Sequence, residues 1–251
     1  MKAWVAFALT AVIAAVTTNA AHATKMGVGI ADTLSIDFKT VSVEEKGNVI
    51  VVHLGAYNTG SIEYDVRARV DIMSGSNVLF TGWSEIKEFN PGDKKGFVVY
   101  GYKPDADNLS IRARVYYGNE IKELEPLYVE KREQTTPKTA FSVSNFRVYD
   151  NYIRFDLFSN QSVENVLVLP NNYPVSWIFN QKRIERIEKN TIKEVIIPYE
   201  SKFFHRQRIS IIVTTEDGGY YQQWEFGMQR ERGIMKYIHL IMDILGSVFR
   251  A

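Results

Sequence analysis

The sequence predicts an all-β protein: two β-sandwiches in tandem, preceded by a short leader and followed by a short amphipathic helix. Three observations predict it. Strand-like runs recur at short, regular intervals from about residue 34 to residue 228, the rhythm of a sandwich rather than of a helical or α/β chain. Within the runs apolar and polar residues alternate, as in Tyr64-Asp65-Val66-Arg67-Ala68-Arg69-Val70-Asp71-Ile72, which turns one side of a strand to a core and the other to water. The breaks between runs carry Asn, Gly, Pro and Asp, whose backbones suit turns.

In the first unit, 24–132, strands are expected at Leu34–Val43, Val49–Tyr57, Tyr64–Met73, Val78–Ile86, Gly96–Tyr102, Leu109–Tyr117 and Glu120–Val129. Seven strands is the count of an immunoglobulin-like domain. Lys46-Gly47-Asn48, Asn58-Thr59-Gly60, Ser74-Gly75-Ser76-Asn77, Asn90-Pro91-Gly92-Asp93 and Gly118-Asn119 separate them.

A polar, uncharged step, Gln134-Thr135-Thr136-Pro137, leads to the second unit, 138–230. Its strands are expected at Phe141–Tyr149, Tyr152–Phe158, Val163–Leu169, Val175–Ile187, Ile192–Pro198, Arg208–Thr215 and Tyr220–Met228. Asp217-Gly218 between the last two is a hairpin signal. The similar lengths look like an internal duplication, and a chain with 45% hydrophobic residues can fill two cores.

The ends set the expected compartment. Lys2, the apolar stretch Ala3–Val16 and the small-x-small Ala21-His22-Ala23 read as a secretory signal peptide, 1–23, cleaved after Ala23. The apolar stretch is shorter than the roughly 20 residues that span a bilayer, which favours a removed signal over a retained anchor; the alternative is an uncleaved or pilin-type leader. With no cysteine, an exported chain has no disulfide framework, catalytic thiol or lipidated cysteine. The combination suits an archaeal or bacterial surface protein. From Gly233 to Ala251 the polar residues Lys236, His239, Asp243, Ser247 and Arg250 fall three or four apart, the pattern of an amphipathic helix. It packs on its own domain, on a neighbouring copy or in a membrane surface, or it is an anchor or the start of one.

Asn58-Thr59-Gly60, Tyr64-Asp65-Val66 opening an alternating strand, Asn90-Pro91-Gly92-Asp93 before Phe97-Val98-Val99, and Leu109–Val115 together resemble the CARDB-type domain, an immunoglobulin-like module related to cell adhesion. The resemblance covers residues 34–129 and implies a module displayed outside the cell, often in tandem and without enzymatic activity. It implies no catalytic residues. The second unit lacks both turn motifs and shares only the rhythm.

A formal net charge of +1 gives no global attraction for nucleic acid. Of the four histidines, His22 leaves with the signal, and His53, His205 and His239 stand apart from any nucleophile, so no Ser-His-Asp arrangement is read. No zinc-ligand spacing and no phosphate-cradling glycine loop occurs, and no cofactor is expected. Asp105, Asp107 and Asn108 offer hard oxygens at close spacing, a calcium candidate that lacks the Gly and distal Glu of an EF-hand loop; the other reading is a hydrated acidic turn.

The third and sixth strands of an immunoglobulin topology are neighbours, which places Arg67, Arg69, Arg112 and Arg114 on one outer face. Such a cluster either grips a partner's carboxylates, sulfates or phosphates or is neutralised by Asp65, Asp71, Glu120, Glu123 and Glu125. Trp83, Trp177, Trp224, Tyr220 and Tyr221 form either a sugar-stacking platform or core packing. Asn108-Leu109-Ser110 and Asn160-Gln161-Ser162 fit the glycosylation pattern.

The reading is a secreted or surface-attached, non-catalytic protein that binds a cell-surface protein or glycan, or copies of itself, with possible membrane contact through 233–251. The alternatives are a polysaccharide-binding accessory protein or extracellular carbohydrate-active enzyme, and a pilus or filament subunit that assembles by strand exchange.

Overall fold

The computed structural model describes residues 32–103, 106, 108–129, 137–201 and 207–228. The chain divides into two compact units, Met1–Asp32 and Thr33–Ala251, and the second holds every strand. The signal peptide expected at 1–23, Asp105, Asp107, most of the step between the halves, His205 and the helix expected at 233–251 lie outside the described residues. No helix of the described residues is long and apolar enough to cross a membrane.

The structure is all-β. The first half contains β1 (Ile36–Lys46), β2 (Val49–Asn58), β3 (Tyr64–Ser74), β4 (Asn77–Trp83), β5 (Lys87–Phe89), β6 (Lys94–Tyr102), β7 (Leu109–Tyr117), β8 (Glu120–Glu123) and β9 (Leu127–Val129). One sheet has the order β1-β2-β6, the other β4-β3-β7-β8, with β5 also on β3 and β9 also on β7. All the pairings are antiparallel. Inward residues such as Val52, Leu54, Val66, Ile72, Phe80, Phe97 and Val115 fill the space between the sheets.

The second half contains β10 (Phe141–Val148), β11 (Tyr152–Ser159), β12 (Val163–Asn171), β13 (Ile178–Phe179), β14 (Lys182–Ile187), β15 (Thr191–Glu200), β16 (Gln207–Thr215) and β17 (Tyr221–Met228). Its sheets, β10-β11-β15-β13 and β14-β12-β16-β17, repeat the connectivity of the first half. Phe155, Leu157, Val166, Val168, Trp177, Phe179, Ile211 and Val213 lie in its core.

Two expected strands are each broken in two. The run expected at Glu120–Val129 is β8 and β9, interrupted at Leu124–Pro126, where proline has no N–H for a ladder. The run expected at Val175–Ile187 is β13 in one sheet and β14 in the other, because the chain changes sheets at Asn180-Gln181. Asn180 there forms a parallel bridge with Trp83 of the first half.

The two halves are not beads on a string. β12 and β16 are buried on both faces: Val166, Val168, Ile211 and Val213 face their own core, while Leu167, Leu169 and Ile212 belong to the packed cluster of the first half. Each such side chain contributes about 1.5–3 kcal/mol on burial. Turns meet as well, since a Cβ on Gly218 (φ +72°) would lie 2.6 Å from the Lys46 carbonyl oxygen.

The turn residues behind the family resemblance meet in space. Asn58 is 1% exposed, and its side-chain amide donates to the carbonyls of Ile62 (2.8 Å) and Phe89 (3.1 Å). Its Oδ1 accepts from the Gly60 N–H at 2.9 Å and lies 2.8 Å from the Tyr64 hydroxyl. The Asn58 N–H donates to the Asp93 carbonyl, and the Gly92 N–H donates to the Asn58 carbonyl, both at 3.0 Å. Gly92 has φ +85°, a conformation that favours glycine. The Asn-x-Gly and Pro-Gly turns are one hydrogen-bonded knot.

Candidate binding face

β3 and β7 are neighbours, with Arg67 opposite Tyr116, Arg69 opposite Arg114 and Asp71 opposite Arg112. All four arginines therefore share one outer face, as the alternation requires. The second half lies over the β3 and β4 side of that face and divides the set. Arg67 and Arg69 are buried, at 8% and 4% exposure, whereas the side chains of Arg112 and Arg114 keep 29% and 20%.

On the covered side every charge has a local partner. Arg67 reaches Glu200 Oε1 at 3.0 Å and Asn180 Oδ1 at 3.4 Å. Asp71, 1% exposed, receives Arg69 Nε at 2.8 Å, the Thr81 hydroxyl at 2.7 Å and Arg114 Nη1 at 3.4 Å. The Arg69 guanidinium also sits over the Trp83 ring, 5.4 Å from its centre. A buried carboxylate held by two guanidiniums and a hydroxyl is compensated, and the row is structural there. The Tyr173 hydroxyl donates to the Thr81 carbonyl at 3.0 Å, and burial pushes its pKa up.

The side over β7, β8 and β9 stays open. Arg114 Nε meets Glu123 Oε2 at 2.6 Å, and Arg112 Nε meets Glu123 Oε1 at 3.5 Å. Partial burial of Arg114 opposes its charge, but Glu123 and Asp71 outweigh it and raise its pKa. Ile121 pairs opposite Tyr116, and Tyr128 opposite Ser110, so both project from this face; they are 59% and 84% exposed. The result is a stiff sheet surface with half-satisfied arginines between an exposed aliphatic and an exposed aromatic side chain. Sequence reading found the arginines and missed Ile121 and Tyr128; their signal was two large apolar residues in a run otherwise rich in Glu and Lys.

The other candidates scatter. Asn108 is exposed with φ 53°, and its companions Asp105 and Asp107 lie outside the described residues. Among the described residues no three His, Asp or Glu side chains are grouped to hold a metal. His53 Nε2 lies 3.4 Å from Glu44, on the surface of β2. The aromatic residues do not form a platform. Trp83 and Trp177 are buried, Trp224 and Tyr220 pack against the second core, and Tyr221 stacks on Tyr102 across the seam with ring centres 4.7 Å apart. Asn108 and Asn160 of the two glycosylation patterns are both exposed.

Clefts follow the seam. One of about 610 Å³ is lined by Lys46, Glu164, Arg183, Glu216 and Asp217. Its two cations share one carboxylate, with Glu216 3.6 Å from Lys46 and 3.4 Å from Arg183. The Thr215 hydroxyl and the Gly219 N–H hold the Asp217 carboxyl below its usual range. A second cleft, about 230 Å³, lies between β4, β6 and β14.

No family model matches the sequence, and no curated protein matches it at a significant level. Solved structures similar to this chain include red sea bream transglutaminase, at 8% identity and a TM-score of 0.25, covering 80% of this chain and 31% of that one. They also include the YadV chaperone, at 9% identity and 0.27, covering 77% and 99%, and the periplasmic chaperone SfaE, at 8% and 0.29, covering 78% and 100%. This chain thus spans about a third of the transglutaminase. At such TM-scores the architecture rests on the strand pairing itself.

Proposed function

We propose that the protein is exported and acts without catalysis, as a binding or surface-assembly module, and that it engages a protein partner through the open face of β7, β8 and β9. The observation that carries this reading is the set Arg112, Arg114, Ile121 and Tyr128 on one stiff surface. Arginine and tyrosine are enriched where proteins bind, and exposed apolar side chains beside them supply the desolvated centre. The apolar stretch after Lys2 and the Ala21-His22-Ala23 site support export. The knot around Asn58, which joins both turn motifs of the resemblance, supports placing residues 34–129 with CARDB-type domains. The shared strand order of the halves supports reading both as immunoglobulin-like.

The test is photo-crosslinking in the producing cells, with p-benzoylphenylalanine in place of Tyr128 and, as control, in place of Val41, which is 63% exposed on β1. Position 128 is expected to yield a discrete adduct that an Arg112→Ala, Arg114→Ala variant weakens about tenfold, in keeping with the weight of interface arginines. An adduct of twice the chain's mass identifies assembly of copies, and any other mass a distinct partner. Equal labelling from positions 128 and 41 defeats the reading.

A further inference from the structure

The first sandwich has a second feature, unrelated to the face above: a free strand edge on β6 that the second half reaches across to touch. The Tyr100 N–H donates to Gln181 Oε1 at 3.0 Å, and Gln181 Nε2 donates back to the Tyr100 carbonyl. One side-chain amide thus makes both bonds that a neighbouring strand would make. The approach is tight, since a Cβ on Gly82 would lie 2.7 Å from Gln181 Nε2 and 2.8 Å from the Tyr100 oxygen.

Backbone groups along an edge strand point alternately to its two sides. Those of Tyr100 point away from β2, and so do those of Val98 and Gly96. Gly96 fits this phase, because its carbonyl accepts from Lys87 Nζ at 2.7 Å. Val98 lies between these two guarded positions, and no side chain of the described residues bonds to its outward backbone groups. Its own side chain is 42% exposed, and it opens on the cleft of about 230 Å³ walled by Trp83, Lys87, Gln181 and Arg183.

We propose that the edge of β6 at Val98 accepts an extended acidic peptide segment of a partner protein, which pairs with Val98 as an added strand and sets a carboxylate between Lys87 and Arg183. The main chain supplies affinity and the flanking side chains supply selectivity, as in other strand additions. Lys87 and Arg183 outnumber the one carboxylate of the cleft, Glu85. Arg183 also meets Glu216 at 3.4 Å and Asn165 Oδ1 at 2.7 Å, yet 43% of its side chain stays exposed. The occupant extends an existing interface, for Gln181 already holds the adjoining position of β6 in strand-like fashion, and Asn180 beside it bridges to Trp83 of β4. A folded sheet edge of a second copy would have to enter a cleft whose far wall is the second half; a single extended peptide needs only the width of one strand.

A phage-displayed library of random linear decapeptides, panned on the full chain, tests this. Enriched peptides are expected to alternate, to carry Asp or Glu, and to bind at least about tenfold more weakly to a Val98→Pro variant, which removes an outward N–H and no ladder bond. A Lys87→Glu, Arg183→Glu variant leaves the backbone untouched and is expected to select Lys- or Arg-bearing peptides, so the proposal stays testable if the proline variant does not fold. Absence of enrichment, equal binding to the proline variant, or unchanged selection by the charge-reversed chain overturns it. Concentration-dependent self-association that Val98→Pro abolishes assigns the edge to a second copy and overturns it equally.

Discussion

Arg67 on β3 and Glu200 on β15, 133 residues apart in the chain, meet at 3.0 Å across the seam between the two halves. The pair is lopsided: the Arg67 side chain is 9% exposed and the Glu200 side chain 61%, and Arg67 Nε is buried without a partner among the described residues. An ion pair with one end in water contributes little, so Glu200→Ala is expected to cost no more than about 1 kcal/mol. Arg67→Ala leaves a void and strands Asn180, and should cost about 2–3 kcal/mol, whereas Arg67→Met refills the volume and stays within about 1 kcal/mol. Urea unfolding of the three variants decides. A methionine variant as weak as the alanine one means that polar contacts, not volume, hold the seam.

Asn58 uses its whole side-chain amide inside the fold. Replacement by Ala leaves the Ile62 and Phe89 carbonyls without their side-chain donor, each at about 1 kcal/mol or more, while the Gly60 N–H keeps the Ser35 carbonyl at 3.1 Å. The expected loss is about 2 kcal/mol or greater, read as a lowered denaturation midpoint at unchanged m-value. Thr59→Ala, which loses one exposed hydroxyl contact to Ser35, should shift it by no more than about 0.5 kcal/mol.

The Tyr64 phenol, close to that knot, makes stability depend on alkaline pH. Burial first, and Tyr117 second, push it up to about 12 from an ordinary value near 10. Below about pH 10 it is neutral in the folded and unfolded chain alike. Between about 10 and 12 only the unfolded chain ionises, so its contribution to stability falls as pH rises through that window. Tyr64→Phe is expected to be less stable at pH 8 and to lose less between pH 9 and 12 than the unaltered chain. Burial also raises Tyr100, Tyr173 and Tyr221, so the comparison rests on the difference between the two slopes.

Leu167 and Ile212 bind the halves into one folding unit, because they are fully buried in the cluster of the opposite half. Calorimetry should show one transition for residues 33–228. Leu167→Ala and Ile212→Ala should each cost about 2–4 kcal/mol and move that transition as a whole. Two transitions, with only the later half displaced, would mean that the halves unfold separately.

The seam was partly legible in the sequence. Alternation in Tyr64–Ile72 correctly separates an inner row from an outer one, but it does not say whether the outer row meets water or another sheet. The clue lay elsewhere, in Val166-Leu167-Val168-Leu169 and Ile211-Ile212-Val213, where alternation lapses into a continuous apolar run. Such a run marks a strand buried on both faces, and its second face needs a cover. The same incompleteness explains the site: spacing put four arginines on one face, and burial by the second half left Arg112 and Arg114 in reach of solvent.

The sequence by itself determined the all-β class, the place of nearly every strand, the pairing of the third and sixth, and the turns between them, because period-two patterning and turn chemistry are local properties of the chain. Only the tertiary structure decided that the two halves share a hydrophobic seam, that Asn58 and Asp93 close one knot, that the chain changes sheets at Asn180-Gln181, and that Gln181 stands in for a strand beside β6. Those outcomes depend on which surfaces lie against each other far apart in the chain, 81 residues for Gln181 and Tyr100, and the pattern of either partner alone shows at most that a face needs cover, not what covers it.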